Sequence, residues 1–214
     1  MKAVLVGATG LVGGHCLKRL LEDPRTESVT VFARRQSTLR HPKLDWRVVD
    51  MSAPEIFSAD EFYCCLGTTI KKAGSREEFR RIDLEIPVAW ARAARDGGVA
   101  RTTLVSSVGA DIGSSNFYLA TKGEIERAFS DFRLPYLGIF RPSILIGARG
   151  ERRILESIGQ ALSRCVSPFF VGGISKYRAI SADSVAQALV RAARCPDRGI
   201  QVYEYDDILR LNGA

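Results

Sequence analysis

Apolar residues occur in two rhythms along this chain. Continuous runs at Val4 to Val6, Val29 to Ala33, Trp46 to Val49, Phe62 to Leu66, Thr103 to Ser106, Tyr136 to Phe140 and Val202 to Tyr205 have the length and β-branched or aromatic content of strands. Between them apolar positions recur every three or four residues, as Leu11, Val12, Leu17, Leu20 and Leu21 do. That spacing predicts helices over 11–22, about 76–96, 115–131, 151–164 and 182–194. Apolar strands alternating with helices predict an α/β domain with a doubly wound parallel sheet, covered on both faces. Pro24, Pro42, Pro54, Pro135 and Pro196 fall between elements, where a residue without an amide proton belongs. Pro87 falls inside the second long helix and predicts a kink or a late start there.

Ligands of such sheets bind beyond the carboxyl ends of the strands, where the strand order reverses. After the first strand come Gly7, Gly10 and Gly13, spaced Gly-x-x-Gly-x-x-Gly on a strand-to-helix turn. Glycine permits positive φ and bares the backbone, while helix N-terminal amides favour an anion. Gly7, Thr9, Gly10, Leu11, Val12 and Gly13 are therefore candidate contacts for a nucleotide. After the second strand, where an NAD-binding protein usually places a carboxylate for the ribose 2′-hydroxyl, stand Arg34 and Arg35. Two guanidiniums suit a 2′-phosphate and stack on adenine, so NADP(H) is the expected cofactor. Asp50 and Met51 follow the third strand and are placed for the adenine edge. Leu66, Gly67 and Thr68 follow the fourth, where small residues lie beside the bound cofactor.

Composition narrows the class. The 214 residues, 46% hydrophobic and 26% charged, suit a single domain over 1–214 with a sizeable core. No apolar run reaches the roughly 18 residues of a membrane span, and the lysine-led start reads as the first strand because glycines interrupt it. Five cysteines without a C-x-x-C pair argue against a disulfide framework and fit a reducing cytoplasm. The net charge of +7 is spread along the chain, without a basic tail or an aromatic-interleaved run, so nucleic acid is not an expected partner. His15 and His41 lack a second ligand at metal spacing, and no metal site is expected. Cys64 and Cys65 read as small buried hydrophobes, Asp111 and Asp183 as caps or surface acids, and Glu124 with Glu126 as a solvated helix face. Phe169, Phe170 and Val171 read as core packing, with a pocket wall as the alternative.

Tyr118 and Lys122 stand four residues apart on one face of the 115–131 helix, with Ser114, Ser115 or Asn116 as its cap. An ammonium beside a phenol favours proton exchange with a substrate oxygen. Ser107, at the end of the fifth strand, is placed to polarise the same oxygen. The order glycine turn, strand-end serine, Tyr-x-x-x-Lys resembles the short-chain dehydrogenase/reductase superfamily over nearly the whole chain. The glycine spacing and Phe140-Arg141-Pro142 are similar to its extended and atypical branches, in which the segment after the Arg-Pro pair passes the nicotinamide. Cys64-Cys65-Leu-Gly-Thr-Thr, Lys72-Ala-Gly, Ser106-Ser107-x-Gly-Ala and Ser115-Asn-Phe-Tyr-Leu with Lys122-Gly-Glu resemble the atypical group that includes the human HIV-Tat-interacting metastasis suppressor. The resemblance implies a Rossmann sheet with a small C-terminal substrate region, and NADPH as cofactor. It also implies Tyr118 as acid/base, Lys122 as ribose ligand and activating cation, Ser107 as oxygen-positioning group, and Arg141 and Pro142 beside the cofactor.

Two departures from that pattern bear on function. Asp83 occupies the place where many such dehydrogenases have an Asn that completes a proton relay, so it either relays protons differently or marks slow turnover. Only the stretch 142–214 follows Arg141, so the substrate region is small, open or completed by a partner chain. The expected activity is reduction of a small carbonyl compound with NADPH. The alternative is an NADPH-binding regulatory protein with little turnover. A small-molecule substrate is the expected partner, no membrane is expected, and a homodimer is left open.

Overall fold

In β1 (Lys2–Val6), Ala3 and Leu5 pack into one layer of the core and Val4 and Val6 into the other, and all four are buried. A strand covered on both sides has no polar face to show, which is why the run is apolar throughout. The computed structural model, which describes residues 1–146 and 177–213, surrounds this strand with six others. They are β2 (Ser28–Ala33), β3 (Leu44–Val48), β4 (Glu61–Cys64), β5 (Arg101–Val105), β6 (Tyr136–Phe140) and, beyond the short pair β7 (Leu145–Ile146) and β8 (Ile180–Ser181), β9 (Gly199–Tyr203). The sheet order is β3-β2-β1-β4-β5-β6-β9, with every pairing parallel.

The helices α1 (Leu11–Glu22), α6 (Ala182–Ala193) and α7 (Tyr205–Gly213) supply the layer that holds Leu5, Val29, Val31 and Tyr63. The opposite layer comes from α4 (Ile86–Asp96) and α5 (Phe117–Asp131), whose Trp90, Ile125 and Phe129 cover Val4, Phe62 and Leu104. Two short helices follow β4: α2 (Ile70–Ala73), capped by Thr69, and α3 (Arg76–Arg80), capped by Ser75 with Glu77 and Glu78 in its first turn.

The chain winds outward from β1 through β2 to β3, then returns to place β4 on the other side of β1. Val6 is therefore level with Phe32 on one side and Cys64 on the other. The residues after these strands gather at one edge of the sheet, which is where such folds bind ligands.

The expected Pro87 irregularity takes a definite form. Arg81–Glu85 is a π-helical turn between α3 and α4, in which the Ile86 amide donates to the Arg81 carbonyl five residues back. Pro87 follows as an early residue of α4, where its missing N–H matters least. Strand β4 ends at Cys64 and not at Leu66, and the last strand ends at Tyr203, because the Asp207 carboxylate accepts from the Glu204 amide and starts α7 at Tyr205. The helix expected over 151–164, and Phe169, Phe170 and Val171, lie outside the described residues.

Candidate functional site

The glycine turn is tight because its glycines leave no room for side chains. Gly7 has φ +86°, and a Cβ built on it would stand 2.3 Å from the Cys65 carbonyl oxygen. A Cβ on Gly13 would stand 2.1 Å from the Gly7 oxygen, so α1 presses directly on the end of β1. The Gly10 amide donates to the Gly7 carbonyl at 2.9 Å and closes the turn. Gly10 is also the N-cap of α1, without a side-chain cap, and the first turn carries no acid. The amides of Leu11, Val12 and Gly13 thus face outward at the positive end of α1, unopposed by a carboxylate. Backbone donors around bare glycine fit the diphosphate of a dinucleotide. Thr9 is exposed on the same turn.

Arg34 and Arg35 are exposed immediately after β2. The Arg35 carbonyl accepts from Trp46 Nε1 at 2.9 Å, which ties their loop to β3. Asp50, also exposed, accepts from the Ser52 hydroxyl at 2.7 Å and the Ser52 amide at 2.9 Å, and these bonds hold its carboxyl below its ordinary range. Its neighbour Met51 differs from the expectation. The side chain is buried in the core and its carbonyl accepts from Trp90 Nε1 at 2.9 Å, so Met51 anchors α4 and does not line the edge with Asp50.

The candidate reactive groups meet around Asp83. Asn116 caps α5 by accepting from the Tyr118 and Leu119 amides. One turn on, the Lys122 ammonium lies 5.9 Å from the centre of the half-buried Tyr118 ring and 2.7 Å from Asp83 Oδ1. The other carboxylate oxygen of Asp83 accepts from the Thr68 amide at 2.8 Å. Asp83 is fully buried and Lys122 nearly so. Burial alone would lower the lysine; the Asp83 charge reverses this and holds the ammonium above its ordinary range. Cys64, behind the pair, is pushed up to about 12 by burial and is inert. Ser107 is buried at the end of β5, and its hydroxyl makes a long 3.3 Å bond to the Val108 carbonyl.

Other expected residues are placed differently. The Arg141 guanidinium is bound by Glu126 at 2.6 Å, two turns along α5 from Tyr118, while the Pro142 carbonyl accepts from the Val108 amide. Glu126 is not on a solvated face. It is buried and receives both Arg141 and the Ser106 hydroxyl, clamping α5 to the ends of β5 and β6. Its spacing was the missed signal: Tyr118, Lys122 and Glu126 are four residues apart and share a face. Glu124 is half-buried in a bidentate pair with Arg80. Asp111 is exposed and accepts from the Gly113 amide, and Asp183 opens α6, where it binds Arg19 and His15. Among the described residues no group of acids, histidines or cysteines could hold a metal, and no helix is long and apolar enough to cross a membrane.

Known proteins resemble this chain in sequence and in fold. The profile of the NAD(P)H-binding family matches residues 7–196. The protein FMP52, mitochondrial, of Candida albicans is 30% identical over 223 residues, covering 100% of this chain and 95% of that one. The protein HTATIP2 of Rattus norvegicus is 31% identical over 216 residues, covering 97% and 87%. Among solved structures, MoeE5 in complex with UDP-glucuronic acid and NAD superposes with a TM-score of 0.72 at 18% identity, covering 100% and 83%. DesIV, a dTDP-glucose 4,6-dehydratase from Streptomyces venezuelae with NAD bound, gives 0.71 at 18%, covering 95% and 74%. At that identity the likeness shows the fold alone. The cytoplasmic location expected from the cysteines is overturned by the relatives, since the fungal ones are named mitochondrial.

Proposed function

The chain belongs to the NAD(P)H-binding family, within the atypical short-chain dehydrogenase/reductase group, and we propose that it is an NADPH-dependent oxidoreductase that reduces a small carbonyl compound. The observation that carries this reading is the Tyr118, Lys122 and Asp83 cluster, at the same sheet edge as an uncapped glycine turn. Hydride donation is the chemistry a bound dinucleotide supplies there.

The protein's own groups divide the remaining work. The α1 amides of Leu11, Val12 and Gly13 hold the diphosphate, and Arg34 with Arg35 pair with the 2′-phosphate. Gly67 and Thr68 leave the floor of the site open to close approach. Tyr118 gives its hydroxyl proton to the carbonyl oxygen as charge develops on it, and the Lys122 ammonium favours that transfer. The Ser107 hydroxyl, whose bond to Val108 is long, turns from it to donate to the same oxygen.

Purified protein, NADPH and a panel of carbonyl compounds test the proposal. Tyr118→Phe is expected to lower kcat roughly 10²- to 10⁴-fold for an active compound while leaving NADPH affinity intact. Equal rates in the two proteins would remove Tyr118 from the chemistry.

A second reading, an NADPH-binding regulator with little turnover, is favoured by the Ser107 hydroxyl being directed to its own neighbour. A Tyr118→Phe protein that still complements a deletion strain would support it, and loss of complementation would count against it.

A further inference from the structure

Asp83 receives two donors at once, and they come from different parts of the chain. The Lys122 ammonium of α5 reaches Oδ1 at 2.7 Å, and the Thr68 amide of the loop after β4 reaches Oδ2 at 2.8 Å. The π-helical turn Arg81–Glu85 is the element that carries this carboxylate inward, to a position with no exposed surface. A Cβ built on Gly67 would stand 3.5 Å from Asp83 Oδ1 and 3.9 Å from Lys122 Nζ, so the loop backbone lies directly over the pair.

We propose that Asp83 is a positioning residue that locks Lys122 and the Gly67–Thr68 backbone into one preformed face for the dinucleotide and keeps the ammonium charged there; this rests on the NADPH-binding reading of the site. The geometry demands two acceptors. A carboxylate has one on each oxygen, whereas an amide has a single acceptor oxygen and an NH₂ that would meet one of the two donors donor to donor. An Asn at this position therefore serves Lys122 or Thr68 but not both. Aspartate at residue 83 is in this light a requirement of the lock.

The charge argument points the same way. Lys122 is faced by Asp83 from the π-helical turn, by Cys64 from β4 and by Tyr118 from its own helix. Burial keeps Cys64 protonated, so Asp83 is the carboxylate that opposes the desolvation of Lys122. Because the lysine is held above its ordinary value, its contribution is complete below about pH 10 and is lost only as pH rises further. Without Asp83, the largest of the influences that oppose burial is gone, and the ammonium is expected to lose its proton at lower pH.

Calorimetric titration with NADPH between about pH 6.5 and pH 9.5 tests the proposal. Wild-type affinity is expected to stay flat to within about threefold for this group, and that of Asp83→Asn to fall at least tenfold as pH rises. A loss equal at every pH would mean a structural role only, and unchanged affinity would mean no role; either overturns the proposal. If Asp83→Asn does not fold, the lysine ammonium signals of ¹⁵N-labelled wild type decide. A signal missing in Lys122→Met and persisting above about pH 9 is expected, and its absence overturns the lock. Wild type that binds no NADPH at any pH would instead overturn the functional reading, while the ammonium signal still reports on the lock.

Discussion

Both ends of the sheet bury an ion pair, yet they use it differently. At the carboxyl end, Lys122 is a point charge with three donors, and among the described residues only Asp83 pairs with it. At the amino end, Arg194 lies deep between the start of β4 and the end of α1. Its fork donates to Glu61, Asp23 and Thr26 together. Arg101 beside it donates to the carbonyls of Ala192, Ala193, Cys195 and Asp197 at the end of α6, and lies over the Tyr136 ring. A hollow of about 350 Å³ there is lined by Arg25, Arg101 and Arg194 and has the residue content of an anion pocket. Arg25 is held by Asp23, however, so each of these guanidiniums is already matched. A saturated arginine fork closes a structure, whereas a lysine with donors to offer leaves a site.

The sharpest way to break this contrast is Arg194→Leu. It strands the fully buried Glu61, and a loss of about 3–5 kcal/mol is expected in chemical denaturation. NADPH affinity per folded molecule should not change; a parallel loss of affinity would make the amino end part of the site. The converse variant, Arg34→Ala with Arg35→Ala, should leave the melting temperature near wild type, because both side chains are exposed. It should shift the NADPH-to-NADH preference at least tenfold, as expected from charge-assisted bonds of about 1.5–3 kcal/mol. Equal losses for both cofactors would show that the arginines do not read the 2′-phosphate.

Gly7→Ala should blur the contrast by harming both properties. The new Cβ collides with the Cys65 carbonyl at a φ of +86°, and about 1–3 kcal/mol of stability should be lost together with NADPH binding. Intact binding in a destabilised variant would place the ligand away from the turn. The smallest effect concerns acid. Arg25 holds the Asp23 carboxyl at about 2, below its model-peptide value of 3.8, so its contribution is complete above about pH 4 and fades as pH falls toward 2. Asp23→Asn should cost about 1 kcal/mol at neutral pH and clearly less near pH 2, measured by denaturation at both.

Much of this was legible in the chain, and the exceptions share a physical cause. The central strands β1, β4 and β6 were visible because both faces are buried, and the α1 and α5 helices because their apolar stripes, with Asn116 capping α5, are local. The start of α7 was hidden because it depends on one carboxylate, Asp207, reaching back to a backbone amide. Glu126 was misread as solvated because its partners, Ser106 and Arg141, arrive from two other strands. Asp83 could be singled out by position, but its two donors converge only once a π-helical turn and two distant segments are folded. Periodicity reports which way a side chain points, and says nothing about which charge meets it there.

Hydrogen exchange with and without NADPH tests the contrast between the two ends most directly. NADPH should slow exchange at the amides of residues 7–13 and 66–69, and leave residues 192–199 at the amino end unchanged. Protection confined to the amino end, or none at the glycine turn in protein that binds NADPH, would contradict the account.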